Sequence, residues 1–397
     1  MAEQFEIGLN GGTGRVAVPT LREMLNLGMV PVAINDLTPI DEAVVSYNFA
    51  NQPRGDMGWS AKKTGDDVFE LTDRLNGNRV HTIRYTSEKD ASTLKWGRDG
   101  VSLVIDSTGA YDKGRDAEAH TSAGAQNVLI TAHAKEADAH IIMGVNEGIY
   151  KPLEHIIVSN VSCTTKCIAL PVKVLLDNDV IIEHLYLATI HSATNTGNIL
   201  QVGMEYGVID QILTAKTGAA DATAFVIPEV EERLSGLAYR VPTTDGSMVD
   251  ATIVARKKDG SYLTAEEFNG MMAKAATGQK YKGRLEYLHQ ITPEGLTEMG
   301  VDSEMVVEVS SAMIQQSTAS SIIVPTKTGS FEFEGRYVPK NVFDAAKQDG
   351  DGNVVIPMDQ LSKIVHSHMV AGYNNEDGPA KDAAMCTQYF IAQRRAA

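Results

Sequence analysis

The sequence predicts an α/β protein in which a parallel sheet flanked by helices is joined to an α+β part with a largely antiparallel sheet. Two observations predict this arrangement. In the first part of the chain, short apolar strands alternate with helical segments, which is typical of a parallel sheet. From about residue 235 onward, segments with β-branched residues or period-two alternation lack intervening helices at βαβ spacing. The 397 residues suffice for two or three domains of ~150 residues each.

The first forty residues carry the clearest local pattern. They contain, in order, a strand, a glycine-rich turn, a helix, a second strand and an acid: Phe5–Leu9, Asn10–Gly14, Val16–Leu27, Val30–Ile34 and Asp36. This is the order of a Rossmann-type dinucleotide site, in which turn amides and the helix N-terminus hold a pyrophosphate and the acid binds a ribose hydroxyl. The third glycine of the usual pattern falls on Ala17. An ordinary tight turn between a strand and a helix is therefore the alternative interpretation.

Two further strands continue the alternation, at Leu103–Ile105 and Val128–Ile130, with a helical segment at Gly114–Ala123 between them. Ser107-Thr108-Gly109 follows the first strand, at the carboxyl edge where ligands bind in an open α/β sheet. A short Ser-Thr-Gly is also a common plain turn, so its position makes it a candidate cofactor contact.

The second part is predicted to contain mainly strands. They are Met248–Val254, Met305–Val309, Ser321–Val324 and Phe331–Glu334, with one helix at Ala265–Ala276 and a final helical segment from Asp382 to Arg394.

Cys163 is the strongest candidate for chemistry. It lies between an apolar strand at His155–Val158 and a helical stretch at Ile168–Leu176. A cysteine at a helix N-terminus is biased toward the thiolate, the form that a covalent nucleophile needs. The alternative is a small buried hydrophobic residue, which is how we interpret Cys167 and Cys386.

His191 is the best-placed base among the ten histidines. It ends a strand at Leu185–Ile190 and precedes a hydroxyl-rich run at Ser192–Gly197. An imidazole beside a thiolate can stabilise the ion pair and accept a proton during oxidation. A histidine that merely ends a strand is the alternative.

Charge and composition argue against several classes of protein and of binding site. With 35 basic and 51 acidic residues the formal net charge is −16, which argues against a nucleic-acid binder or a protein on anionic lipid. No apolar run reaches the ~18 residues of a membrane span, and the acidic N-terminus does not resemble a signal peptide. Three cysteines fit a reducing compartment, so a cytoplasmic location is expected. The Asp-Gly-Asp-Gly run at 349–352 is too short for a calcium loop, and no metal site is predicted.

A series of motifs carries a family resemblance along nearly the whole chain. They are Ile34–Thr38, Ser107–Gly109, Met143–Asn146, Ser159–Cys167, Thr217–Ala220, Ile227–Glu229, Gly236–Pro242 and Tyr373–Glu376. This series resembles that of phosphorylating glyceraldehyde-3-phosphate dehydrogenases. Ser-Cys-Thr-Thr, Arg-Val-Pro and Asn-Asn-Glu in this order are highly specific, so the chain is identified as a divergent member of that family.

The resemblance implies a glycolytic reaction, the NAD-dependent oxidation and phosphorylation of glyceraldehyde 3-phosphate to 1,3-bisphosphoglycerate. Cys163 is then the nucleophile and His191 its general base. Asp36 would favour NAD over NADP, and Asn375 would hold the nicotinamide carboxamide. The other implied cofactor contacts are Asn10, Gly11, Gly12, Thr13, Gly14, Arg15, Ser107, Thr108, Gly109 and Thr131. The implied phosphate-binding residues are Ser162, Thr164, Thr194, Thr196, Thr217, Gly218 and Arg240.

The resemblance also predicts the limits of the domains and the oligomeric state. An NAD-binding Rossmann domain would span 1–161 and be completed by a C-terminal helix at about 376–397, with a catalytic domain at 162–375. Antiparallel sheets of this family pair across subunits, which implies a homotetramer. The expected small-molecule partners are a phosphorylated aldehyde and inorganic phosphate.

Two lysines mark departures from the family. The segment between His191 and Thr217 is several residues shorter than usual and lacks the arginine that helps to bind inorganic phosphate. Lys216 could replace that charge or could face solvent. Lys166 stands where asparagine is usual, and its effect on the thiol depends on the direction of its side chain.

Other functions stay open at this point. A thioester could pass to water or arsenate, or arise from another sugar phosphate such as erythrose 4-phosphate. A binding or regulatory protein that has lost turnover is a second alternative. A semialdehyde dehydrogenase is a third, and the paired Thr194 and Thr196 and the Arg240-Val241-Pro242 segment speak against it.

Overall fold

The computed structural model describes residues 5–49, 58–194, 212–287, 321–324, 335–337, 347–348, 354–355, 362–364 and 367–396. The helices are α1 Ala17–Asn26, α2 Ile40–Phe49, α3 Glu118–Ser122, α4 Cys163–Asp177, α5 Ala219–Val226, α6 Ala265–Thr277 and α7 Asp377–Ala396. Short 3₁₀ helices lie at Ala91–Thr93, Gly114–Ala117, Glu147–Ile149 and Pro228–Val230.

The strands fall into two large sheets and two small pairs. In the first part of the chain they are β1 Glu6–Asn10, β2 Ala33–Asn35, β3 Trp59–Lys63, β4 Val68–Asp73, β5 Arg79–Thr86, β6 Val101–Asp106, β7 Asn127–Ile130, β8 Ala139–His140 and β9 Ile157–Ser159. They continue with β10 Ile181–Ser192, β11 Leu213–Ala215, β12 Leu234–Val241, β13 Ser247–Arg256, β14 Leu285–Tyr287, β15 Ser321–Val324, β16 Gly335–Tyr337, β17 Lys347–Gln348, β18 Val354–Val355, β19 Ser362–Ile364 and β20 Ser367–Tyr373.

The first sheet has the order β3-β4-β5-β2-β1-β6-β7-β9-β8. Its pairs are parallel from β5 to β8, and only β3, β4 and β5 are joined antiparallel. Strand order reverses between β1 and β6, the crevice where open α/β sheets bind ligands. The predicted Rossmann-type sheet is confirmed.

The second sheet has the order β11-β12-β10-β13-β20-β15-β14. Four of its pairs are antiparallel, whereas β10–β12 and β14–β15 are parallel. The predicted largely antiparallel sheet is therefore confirmed. Helix α4 packs on this sheet through apolar side chains that include Ile168, Leu170 and Leu175.

The C-terminal helix α7 returns to the first sheet. Ala384 and Ile391 pack with Leu21 and Leu25 of α1, and Phe390 packs against the β6–β9 side. Burial of these apolar side chains is the main force that holds the helix there. The division of the chain into domains at 161 and 375 stays a prediction.

Several predicted elements differ in their limits, including one helix, one strand and the start of α4. The Gly114–Ala123 helix is a 3₁₀ turn followed by the short α3. The second strand begins at Ala33 because Pro31 has no N–H to donate to a sheet. Helix α4 begins at Cys163, five residues before the predicted apolar stretch at Ile168–Leu176.

The predicted strands Met305–Val309 and Phe331–Glu334 and the candidate residue Thr196 lie outside the described residues. Within the described ranges, no helix has both the length and the apolar character that crossing a bilayer requires.

Candidate active site

Cys163 is the first residue of α4, four residues after the end of the buried strand β9. Ser162 caps the helix, because its hydroxyl accepts a hydrogen bond from the amide of Thr165 at 3.1 Å. Cys163 Sγ lies 3.7 Å from Nε2 of His191 and is partly exposed. The structure thus brings together the two candidates for nucleophile and base.

His191 reaches this position through the register of the second sheet. In the parallel pair β10–β12, His191 stands opposite Arg240. The Nδ1 atom of His191 lies 2.7 Å from the carbonyl oxygen of Ser192. The Nδ1 atom thus faces both an acceptor, this carbonyl, and a donor, the guanidinium of Arg240, whereas Nε2 faces the thiol and the amide nitrogen of Asn375. The guanidinium of Arg240 contacts the same imidazole and donates to the Ser192 carbonyl at 3.1 Å.

Asn375 completes the arrangement around the thiol. Its Nδ2 atom lies 3.7 Å from Cys163 Sγ and 3.3 Å from His191 Nε2. Its Oδ1 atom accepts hydrogen bonds from the hydroxyls of Ser192 and Ser247, each at 2.8 Å. Because both donors hold the oxygen, the amide nitrogen is turned toward the sulfur and the imidazole. Sequence reasoning gave these two serines no role.

The protonation state of the thiol follows from these neighbours. Burial raises the pKa of Cys163, but the hydrogen bond and the charge of His191, then the charge of Lys166 and the hydrogen bond from Asn375, lower it to about 7. A thiol with this pKa is substantially thiolate near neutral pH. This environment is the one that a covalent nucleophile requires.

Tyr373, the last residue of β20, contacts two threonines close to the site. Its hydroxyl is fully buried and lies 2.8 Å from the hydroxyls of Thr164 and Thr189. The Thr164 side chain therefore points into the protein, whereas its backbone amide belongs to the first turn of α4. This chain of three hydroxyls ties α4 to β10 and β20.

The glycine-rich turn after β1 leaves no space for a side chain at any of its three glycines. Gly11 has φ of +75°, and a Cβ there would lie 2.9 Å from the backbone nitrogen of Thr108. A Cβ at Gly12 would collide with Ile34, and one at Gly14 would lie 3.0 Å from the Gly11 carbonyl. Helix α1 follows without a side-chain cap and without an acid in its first turn. The amides of the Gly11–Gly14 turn already donate to other groups of the protein, the Val18 amide donates to the Gly14 carbonyl, and Pro19 has no N–H. The amides at residues 15–17, where the turn enters α1, can therefore donate to an anionic group such as a pyrophosphate.

Asp36 lies directly beside this turn. Its two carboxylate oxygens accept hydrogen bonds from the amides of Thr13 and Thr38, both at 2.9 Å. These bonds fix the carboxylate at the carboxyl end of β2, where an acid binds a ribose hydroxyl. The turn, the uncapped helix and this acid fit the adenosine and pyrophosphate parts of a dinucleotide.

The other cofactor candidates line the same edge of the first sheet. Asn10 is buried and donates to Asp106 at 2.6 Å. This hydrogen bond joins the ends of β1 and β6. Thr108 donates its hydroxyl to Asp106 at 2.7 Å, and Thr131 donates to the Ser107 hydroxyl at 3.2 Å. Gly109 adopts φ of +67°, in the left-handed region.

Arg15 links the glycine-rich turn to the second sheet. Its guanidinium donates to the carbonyls of Thr194 and Thr244 at 2.9 and 2.6 Å and pairs with the carboxylate of Glu376. Thr194, a candidate phosphate ligand two residues after β10, is thereby held next to the cofactor turn. The sequence assigned Arg15 to the cofactor but gave no sign of this bridge.

The remaining phosphate candidates lie around β11 and α5. Leu213 of β11 stands opposite Arg240, and Lys216 follows the end of this strand with an exposed side chain. Thr217 accepts a hydrogen bond from the Ala219 amide at 3.2 Å, and Gly218 is the N-cap residue of α5. Arg240 is partly buried.

Comparison with known proteins gives a consistent set of matches. The family described as "Glyceraldehyde 3-phosphate dehydrogenase, C-terminal domain" matches residues 162–328. Glyceraldehyde-3-phosphate dehydrogenase of Streptomyces coelicolor is 34% identical over 327 residues, covering 80% of this chain and 92% of the relative. Glyceraldehyde-3-phosphate dehydrogenase 1 of Bacillus subtilis is 34% identical over 324 residues, with coverage of 80% and 92%. The Chlamydia pneumoniae enzyme is 36% identical over 284 residues, with coverage of 70% and 80%.

Proposed function

The chain belongs to the glyceraldehyde-3-phosphate dehydrogenase family, and on that premise we propose that it oxidises and phosphorylates glyceraldehyde 3-phosphate to 1,3-bisphosphoglycerate through a thioester on Cys163. The observation that carries the proposal is the approach of Cys163 Sγ to His191 Nε2, 3.7 Å apart, with the amide of Asn375 directed at both atoms.

The chemistry begins with the thiolate. Cys163 adds to the aldehyde carbon, and the resulting alkoxide takes a proton from His191 to give a hemithioacetal. The carbon then loses a hydride while His191 Nε2 accepts the hydroxyl proton, which leaves a thioester. Inorganic phosphate attacks the thioester and releases the acyl phosphate and the thiolate. His191 thus returns to the state from which it started.

NAD, when bound, accepts the hydride. The residues that fit it are the amides at 15–17, between the Gly11–Gly14 turn and α1, for the pyrophosphate, Asp36 for the adenosine ribose, and Asn375 for the carboxamide. The carboxylate of Asp36 also disfavours a 2′-phosphate, which supports a preference for NAD over NADP.

Arg240, Thr194 and Lys216 are the groups proposed to bind the phosphates. A guanidinium and hydroxyls match phosphate oxygens, and Gly218 at the start of α5 adds backbone amides. A protein with a formal net charge of −16 does not attract anions over long distances, so this local set must provide the attraction. Thr196, Ser162 and the amide of Thr164 belong to the same proposal.

A homotetramer in the cytoplasm is proposed from the family and from the cysteines. Cys163, Cys167 and Cys386 form no disulfide bond, which suits a reducing compartment.

NADH production as a function of phosphate concentration tests the proposed reaction. Purified protein given glyceraldehyde 3-phosphate and NAD should form NADH at a rate that rises and saturates with phosphate. Cys163→Ser, which replaces the sulfur by a much less acidic hydroxyl, should abolish it. NADH formation that does not depend on phosphate, with the free acid as product, would instead show water as the acyl acceptor.

A further inference from the structure

Lys166 is a fully buried lysine in the first turn of α4, three residues after Cys163. It is the fourth residue of α4, and none of its side chain is exposed. A lysine in such a place needs hydrogen-bond partners for its ammonium, because the desolvation of a charge is costly. Its ammonium contacts the segment that follows β9 and interacts with Asp382 of α7.

The ammonium holds the segment that leads from β9 to Cys163. Nζ donates to the carbonyl of Asn160 and, at 3.4 Å, to the carbonyl of Val161. Val161 has φ of +45°, which is unfavourable for a β-branched residue. The ammonium therefore satisfies two carbonyls at a strained turn only two residues before the nucleophile.

A carboxyl group faces this cation from the C-terminal helix. Asn160 connects the two, because its main-chain carbonyl accepts from Lys166 and its side-chain amide donates to Asp382 at 2.7 Å. Asp382 also accepts from the Met143 amide at 3.2 Å. The thiol of Cys386 lies 3.3 Å from the same Asn160 amide.

The charges around this cluster act in opposite directions. Burial lowers the pKa of Lys166, whereas Asp382, Cys386 and Cys163 raise it. Burial raises the pKa of Asp382, whereas Lys166 and then Asn160, Arg284 and the Met143 amide lower it. A cation in this dry interior acts on its neighbours more strongly than one in water.

We propose that Lys166 is a positioning residue for the reaction: its buried ammonium fixes the turn before Cys163 and, by its charge, favours the thiolate form of that cysteine. The proposal rests on the assignment of Cys163 as the nucleophile in the proposed function. His191 and Asn375 lie within hydrogen-bond distance of Cys163 Sγ, whereas Lys166 lies three residues further along α4 and acts on the thiol through its positive charge.

Alkylation of Cys163 by iodoacetamide across a pH series tests this without any turnover. This measurement reports the reactivity of the Cys163 thiol and needs no substrate. It would remain valid if the proposed dehydrogenase reaction were not observed, so failure of the proposed function and failure of this proposal are distinguishable. Lys166→Met removes the charge and the donor, whereas Lys166→Gln removes the charge and keeps a donor for the carbonyls. Lys173→Met is the matched control, because it removes the same kind of charge from the same helix, at a lysine that pairs with Asp177. Far-UV circular dichroism establishes that each variant is folded.

In the wild type the alkylation midpoint should lie at about pH 7. In both Lys166 variants it should move upward by about half a unit or more, equivalent to roughly threefold less thiolate at low pH. Lys173→Met should leave it at the wild-type value. A midpoint unchanged in a folded Lys166→Gln protein would overturn the proposal. An upward shift of the same size in Lys173→Met would overturn it too, because the midpoint would then not depend on the charge at Lys166.

Discussion

Replacement of His191 by asparagine should sharply reduce the thiolate content of Cys163. The hydrogen bond and the charge of His191 are the two largest contributions that oppose the effect of burial on this thiol. Without them, only Lys166 and Asn375 oppose burial, so the pKa of Cys163 should rise from about 7 to its ordinary value of 9 or above. At pH 7 the ionised fraction would fall from about one half to about 1%, a loss of roughly fiftyfold.

The rate of alkylation by iodoacetamide measures this fraction directly. Cys167 and Cys386 are completely buried, so the reaction should report on Cys163, and Cys163→Ser provides the blank. We expect His191→Asn to react roughly fiftyfold more slowly at pH 7 and to reach the wild-type rate only above about pH 9. Turnover should fall further, because a general base contributes about 10²–10⁴-fold. An alkylation profile that matches the wild type would refute this reasoning.

The same interaction makes stability depend on pH. The pKa of Cys163 is lower in the folded protein, about 7, than the ordinary value of 9. The folded state is therefore stabilised by the thiolate above about pH 9, and this contribution is lost as the pH falls to about 7. His191→Asn should lack this dependence, so the difference in stability between wild type and variant should grow with pH across that window.

Three further changes test other parts of the site. Asp36→Asn should weaken NAD binding about tenfold or more and narrow the preference over NADP, because a charged hydrogen-bond acceptor is lost; titration calorimetry with both nucleotides measures this. Tyr373→Phe should lower the free energy of unfolding by about 1–3 kcal/mol in urea, because the buried hydroxyls of Thr164 and Thr189 lose their shared partner. Lys216→Ala should raise the KM for inorganic phosphate by up to about fivefold, as an exposed charge contributes about 1 kcal/mol at most.

Each of these has a clear negative result. An unchanged ratio of NAD to NADP affinity would remove Asp36 from cofactor selection. An unchanged urea midpoint in Tyr373→Phe would show that the hydroxyl chain adds nothing to stability. An unchanged phosphate KM would place Lys216 outside the phosphate site.

The elements that carry the site were largely predictable from local sequence. The strand, turn and helix around Gly11 follow from apolar periodicity and from glycines in a tight turn. The start of α4 was harder to place, because Thr164, Thr165 and Lys166 are polar and interrupt the apolar pattern. These three residues are nevertheless buried, and tertiary contacts decide their conformation.

Contacts between distant segments could not be predicted. Ser192 and Ser247 orient Asn375 from positions 183 and 128 residues away, and this depends on β10, β13 and β20 being neighbours in one sheet. The bridge from Arg15 to Thr194 likewise needs the arrangement of both sheets. The direction of Lys166 stayed open for the same reason, because the carboxyl group that it faces lies on the C-terminal helix.

Trapping of the acyl-enzyme tests the central claim most directly. Protein mixed with NAD and glyceraldehyde 3-phosphate in the absence of inorganic phosphate should accumulate an acyl group on Cys163, which mass spectrometry of the peptide that contains this residue can identify. We expect one acyl group per active subunit, formed together with NADH and released when phosphate is added. Absence of the adduct during NADH formation, or equal NADH formation by Cys163→Ser, would contradict the account.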